Sequence, residues 1–222
     1  MDLRCFSSDM SGDLYRYAAP ESFEILGKEF PVVFDGGERV LLKLPAADAS
    51  NADAERGVRC AKIADNVWLV AFGNSELPAA YVLDLGAGLV TRAVMSSNGG
   101  FALSFGAIEN AGDARHAVTD ELAGNTVEWT FGVGESSVIR VSYGDSAVEL
   151  TRPRAPDAQK LTATSFRAVK ITETIYLQTV VVADGKANVC LLSDFSRVLC
   201  IGCVFGLDNA VRMIAGYGVV TE

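Results

Sequence analysis

The segment RCAKIADNVWLVAF at residues 59–72 returns in altered form as RAVKITETIYLQTV at residues 167–180. Placing Lys62 on Lys170 (170 − 62 = 108) also pairs Arg59 with Arg167, Ile63 with Ile171, Trp68 with Tyr176 and Leu69 with Leu177. Upstream, GKEFPVVFDGGERVLLKL (27–44) matches GNTVEWTFGVGESSVIRVSY (124–143), with Phe34 on Phe131 (131 − 34 = 97). Downstream, AAYVLDLGAGLVTRAV (79–94) matches NVCLLSDFSRVLCIGCV (188–204), with Asp84 on Asp194 (194 − 84 = 110). A repeat of about 100 residues is too long for a solenoid unit, so each copy has to be a small domain or half-barrel in its own right. From Phe34 to Lys62 the first copy takes 62 − 34 = 28 steps, and from Phe131 to Lys170 the second takes 170 − 131 = 39. The surplus falls in YGDSAVELTRPRAPDAQ and is expected to lengthen strands and loops at one mouth of the second copy.

Within each copy, short runs of Val, Ile, Leu and aromatics alternate with turn chemistry such as FDGGE, FGVGE, YGDS, GNSELP, ADGKA, LGAG and SDFS. Turns every ~8–12 residues mark consecutive antiparallel strands. A helical period is confined to SGDLYRYA near the start. So many strands must hide their edges, and closing an up-and-down meander does so without helices. The expected fold is therefore all-β, with two tandem lipocalin-like (calycin) antiparallel barrel units related by internal duplication. The expected boundaries are an extension at 1–20, a first unit with its connector at 21–115 and a second unit at 116–222. Asp84 and Asp194 precede hairpin turns, where Asp caps backbone N–H groups.

A formal charge of −9 and a pI near 4.7, with no Lys/Arg run, argue against a nucleic-acid or anionic-membrane partner. The first twenty residues lack a basic n-region and an apolar h-region, and no window has the ~18 apolar residues of a membrane span, so a cytoplasmic protein is expected. Five cysteines at irregular spacing suit free thiols. CIGC (200–203) lies in a run with strand character, which marks core residues and not a redox motif. No metal site is expected, and without G-x-G-x-x-G, Walker, G-x-S-x-G or H-E-x-x-H motifs no cofactor is expected either. His116, the lone histidine, stands in a polar linker.

The patterns F-x-x-x-F-D-x-G-x-x-x-x-L (30–42), I-x-x-x-V-W-L-V (63–70) and A-Y-V-L-D-L-x-x-G-x-V-T (80–91) resemble the N-terminal half of MoaF-like proteins. K-I-T-E-T-I-Y-L (170–177), D-x-x-R (194–197) and G-Y-G (216–218) resemble their C-terminal half. The resemblance implies a calycin fold akin to lipocalins and to cofactor-free phenolic acid decarboxylases. The decarboxylase machinery does not carry over. Its first-strand Tyr-x-Tyr falls on Val32 and Phe34, or on Trp129 and Phe131; its glutamate falls on Val182; its arginine falls at Thr151, one place from Arg152.

With the strands so oriented, Trp129 and Phe131 point inward, as do Tyr176 and Gln178 in the second copy and Trp68 in the first, because strand side chains alternate. The result is an aromatic, apolar lumen suited to a flat hydrophobic ligand, or else filled as plain core. Arg152 and Arg167 would hold a carboxylate or enolate through the guanidinium fork, and Tyr143 would donate to a developing oxyanion. Lys62 and Lys170, equivalent in both copies, fit a structural role. Two main functional readings follow. One is a cofactor-independent lyase, isomerase or cyclase acting on a small aromatic or polyketide-like metabolite, with Arg152 and Tyr143 catalytic and Trp129, Phe131, Tyr176, Gln178, Arg167 and Trp68 binding substrate. The other is a non-catalytic carrier or sensor of lipocalin type. A structure with no cavity above ~100 Å³ would favour a third, in which both barrels are solid and the protein acts through its surface as an oligomeric assembly factor, since ligand sites usually exceed ~300 Å³. The expected partner is a small hydrophobic molecule, with a homodimer left open.

Overall fold

Runs such as VWLVAF and IYLQTVVV are rich in β-branched and aromatic residues, which favour the pleated, half-buried surface of a sheet. In the computed structural model, which describes residues 22–46, 57–73, 77–96, 99–109, 111–132, 137–145, 147–154, 160–182, 187–205 and 211–221, these runs become strands of two antiparallel sheets. The candidate helical stretch at 11–18 and Cys5 lie outside the described residues.

The first unit comprises β1 (Glu29–Phe34), β2 (Arg39–Lys43), β3 (Val58–Ala64), β4 (Val67–Phe72), β5 (Ala79–Asp84), β6 (Leu89–Met95) and β7 (Phe101–Ile108). The second comprises β8 (Ala117–Thr119), β9 (Thr126–Thr130), β10 (Val138–Tyr143), β11 (Val148–Thr151), β12 (Lys160–Lys170), β13 (Ile175–Val182), β14 (Ala187–Asp194), β15 (Leu199–Phe205) and β16 (Val211–Thr221). In the first, the order is β2-β1-β7-β6-β5-β4-β3, and in the second the sequence β10-β9-β16-β15-β14-β13-β12 repeats it. The registers repeat too. Lys62 faces Trp68 as Lys170 faces Tyr176, Val67 faces Asp84 as Ile175 faces Asp194, and Val32 faces Ile108 as Trp129 faces Gly218.

The two units part company where the second copy is longer. Its surplus residues carry β11, which pairs with both β10 and β12 and closes an eight-stranded barrel. The insertion thus supplies the closing strand, where added length at one mouth was expected. Among the described residues no strand bridges β2 and β3, so the first sheet is a curled half-barrel.

Three apolar layers result. Phe30, Val32, Phe34, Trp68, Val70 and Leu83 fill the concave face of the first sheet. Trp129, Tyr143, Phe166, Tyr176, Val180 and Leu191 lie inside the barrel. Between the units, the outer faces of the two sheets meet: Ala61, Leu69, Ala71 and Val82 from the first against Leu177, Cys190, Leu192, Ile201 and Cys203 from the second. Every residue of β13 is therefore buried, because one face looks into the barrel and the other onto the first unit. The four described cysteines, Cys60, Cys190, Cys200 and Cys203, are buried, and no disulfide joins them to one another. No helix among the described residues is long and apolar enough to cross a membrane.

Candidate functional site

The barrel interior begins with a local device found in both copies. A turn before β1 ends at Gly27 (φ 75°), and one before β9 ends at Gly124 (φ 83°), a left-handed conformation that glycine adopts without Cβ strain. Each turn sets a glutamate against the repeated lysine: Lys62 lies 2.9 Å from Glu24 and Lys170 lies 2.9 Å from Glu121. In the second unit the Tyr176 hydroxyl also donates to Glu121 (2.7 Å). The repeated aspartates cap their turns as expected: Asp84 Oδ1 accepts from the N–H groups of Gly86 and Ala87, and Asp194 Oδ1 accepts from Ser196 N–H.

At this end of the barrel Phe195 packs edge-on against Trp129, Tyr143 and Tyr176, with ring centroids 6.0, 6.4 and 5.6 Å away. Next to that aromatic plug runs a chain of buried polar groups. Trp129 Nε1 donates to the Tyr143 hydroxyl (3.4 Å), Tyr143 donates to Gln178 Oε1 (2.8 Å), and Gln178 Nε2 donates to Ser193 Oγ (2.9 Å). The direction is set at one end, because an indole N–H only donates. Tyr143 must then pass its own proton on, so the amide oxygen of Gln178 faces it and the amide nitrogen faces Ser193. Burial pushes the Tyr143 phenol well above its usual range, so it stays protonated.

Beyond Gln178, toward the barrel end bearing Phe131 and Val182, lies a void of about 50 Å³. Its walls are apolar side chains such as Phe131, Ile139, Leu150, Val189 and Ile214, and Gln178 is the single polar residue lining it among those described. The four connections at that end each run partly through residues outside the described set (133–136, 155–159, 183–186, 206–210).

Of the residues expected to form a site, Trp129, Phe131, Tyr143, Tyr176 and Gln178 all turn into the barrel. Trp68 fills the interior of the first unit instead, with the Lys62 ammonium 5.3 Å from its ring centroid. Arg167 is exposed on β12, in an open groove with Asp120 and Asp145, its Nη1 donating to the Phe166 carbonyl. Arg152, expected to act in the pocket, is buried just past β11 yet does not line the void. Ser193 was missed, and so was the connection of Tyr143 to Gln178; both lie on strands far apart in sequence. His116 is not solvated: it is buried, with Nδ1 2.8 Å from Thr91 Oγ1 and Nε2 4.0 Å from Asp84 Oδ2. Burial holds its imidazole below the usual range, partly opposed by Asp84.

The duplication supplies an internal comparison. The first-copy counterparts of Trp129 (129 − 97), Gln178 (178 − 108) and Ser193 (193 − 110) are Val32, Val70 and Leu83. The counterpart of Tyr143 is Leu44: Leu44 N–H donates to the Lys28 carbonyl as Tyr143 N–H donates to that of Asn125. All four counterparts are buried and apolar. The equivalent four positions thus carry hydrocarbon side chains in one copy and a four-member polar chain in the other.

What fold and site together define is an all-β up-and-down barrel whose lumen ends on a polar chain. No protein-family model and no curated protein sequence matches the chain.

Proposed function

We propose that the second unit binds a small, largely apolar molecule in its barrel lumen, as a carrier or sensor of lipocalin type and a distant relative of the MoaF-like calycins. The observation that carries this reading is the apolar void ending on Gln178, in the one copy whose lumen keeps a buried polar chain. Buried polar groups cost stability unless fully paired, and the first copy folds with Val32, Leu44, Val70 and Leu83 in their places. Polarity at these positions is therefore not a requirement of the fold. The catalytic alternative, a lyase, isomerase or cyclase using Tyr143 and Arg152, has less behind it. The Tyr143 proton is engaged with Gln178, and Arg152 is outside the void lining.

A solid barrel acting through its surface has the size of the void in its favour: at about 50 Å³ it lies under the ~100 Å³ mark given above and is a third of the ~150 Å³ that admits benzene in an apolar core. Xenon under pressure separates the two. A binding lumen shifts the methyl resonances of Ile139, Leu191 and Ile214 while leaving Val70 and Leu83 of the first unit unmoved. If no methyl in the barrel responds, the lumen is core and the binding reading is lost.

A further inference from the structure

The concave face of the first unit is not hydrocarbon throughout. From β6, Arg92 lays its guanidinium over the Phe34 ring, 4.2 Å from the ring centroid. Glu38, just before β2, engages that guanidinium with both carboxylate oxygens: Nη1 donates to Oε1 (3.0 Å) and Nη2 to Oε2 (2.6 Å). Arg92 also meets the hydroxyls of Ser104 (3.4 Å) and Tyr81, yet its buried Nε–H has no partner among the described residues. The two ends of the ion pair differ, the Arg92 side chain being 16% exposed and that of Glu38 52%. We infer that Arg92 receives the carboxylate of a small monoanionic ligand, and that Glu38 holds the place of that carboxylate in the free protein. The duplication shows that the fold does not demand this pair. Tyr81 faces Arg92 and Arg92 faces Ser104 as Leu191 faces Gly202 and Gly202 faces Ile214. The second barrel thus has a glycine in the place of Arg92, and the cross-strand neighbours of that glycine line the apolar void. A guanidinium presents a planar fork that matches a carboxylate. Glu38 comes to it from an exposed position, so a solute can take its place. Half-buried Val40 and Val58, on the two edge strands, and the edge-on rings of Phe72 and Tyr81 offer an apolar body its contacts on the same face. One guanidinium balances one negative charge, so a dianion would be left half-paired. This site belongs to the first unit and stands apart from ligand binding by the second.

The test titrates benzoate, its neutral isostere benzamide and inorganic phosphate into the whole protein and follows the methyl resonances of Val40 and Val58. Benzoate is expected to shift both, with benzamide binding about tenfold more weakly, the worth of a hydrogen bond between charged groups over a neutral one, and phosphate leaving both unmoved. Glu38→Ala removes the competing carboxylate and should tighten benzoate by about two- to sixfold, the factor set by the closed fraction of a partly exposed ion pair. Arg92→Gln removes the charge and the fork, so benzoate should fall to the level of benzamide. Should Arg92→Gln fail to fold, Glu38→Ala/Arg92→Met takes out the ion pair as a unit and serves in its place. Benzamide binding as tightly as benzoate, phosphate binding, no gain from Glu38→Ala, or a benzoate affinity that survives loss of Arg92 would each overturn the inference. So would silence of both methyls toward benzoate in wild type and Glu38→Ala alike, which would make Arg92 and Glu38 a plain ion pair.

Discussion

Replacing Tyr143 by Phe removes one oxygen and disturbs two partners. The Tyr143 hydroxyl accepts from Trp129 and donates to Gln178, all three being buried. A net hydrogen bond is worth about 1 kcal/mol, and a buried group left without its partner costs about 1–3 kcal/mol. Gln178 Oε1 loses the shorter contact (2.8 Å) and Trp129 Nε1 the longer (3.4 Å), so the loss at Gln178 dominates and Tyr143→Phe should cost about 2 kcal/mol. Gln178→Met should cost a similar amount, because it strands the Tyr143 proton and takes a donor from Ser193. The double variant removes both sides of the central bond at once. Its cost should fall short of the sum by about 1 kcal/mol or more, within the range seen for residues in direct contact. Urea unfolding of the four proteins, followed by tryptophan fluorescence with equal slopes required, gives the cycle. Additivity within about 0.3–0.5 kcal/mol would mean the two side chains do not communicate, and the relay would be refuted.

Two further perturbations probe the frame around the relay. A Cβ at Gly216 would stand 2.9 Å from the Thr130 carbonyl oxygen and 3.0 Å from the Phe131 ring, so Gly216→Ala should destabilise by about 1–3 kcal/mol; an unchanged unfolding midpoint would show that β9 and β16 are not so closely apposed. His116 sits against Thr91 and Asp84 with its titration held down by burial, so below about pH 6.5 the unfolded chain takes up a proton that the folded chain resists. Stability should therefore be lost as pH falls from about 6.5 toward 5, by no more than about 1.4 kcal/mol per pH unit, and His116→Gln should flatten that dependence; a slope that persists in the variant would place the titrating group elsewhere.

Much of the architecture was legible because strand pairing converts sequence spacing into register. The offsets of 97, 108 and 110 read from Phe34, Lys62 and Asp84 reappear as matching cross-strand partners in both sheets. Asp84 and Asp194 announced their turns because an Asx cap is local. The inward set Trp129, Phe131, Tyr176 and Gln178 followed from period two once the resemblance had oriented both β9 and β13. The burial of Arg152 and His116 was not legible for a shared reason: a polar residue in a polar stretch gives no local sign that a neighbouring element will cover it. Arg167 went to the surface because its place on β12 alternates with Phe166, which faces the lumen.

The amino-acid sequence by itself determined the duplication, the all-β class and the pairing register, since these depend on local spacing, turn chemistry and side-chain alternation. Tertiary structure alone decided that β11 would close one copy while the other stayed a half-barrel among its described residues. It alone buried both faces of β13 by laying one sheet on the other, and it alone joined Trp129, Tyr143, Gln178 and Ser193, which come from four different strands. Closure, sheet stacking and a four-strand polar chain are contacts between distant segments, and their energies exist only once the chain has brought those segments together.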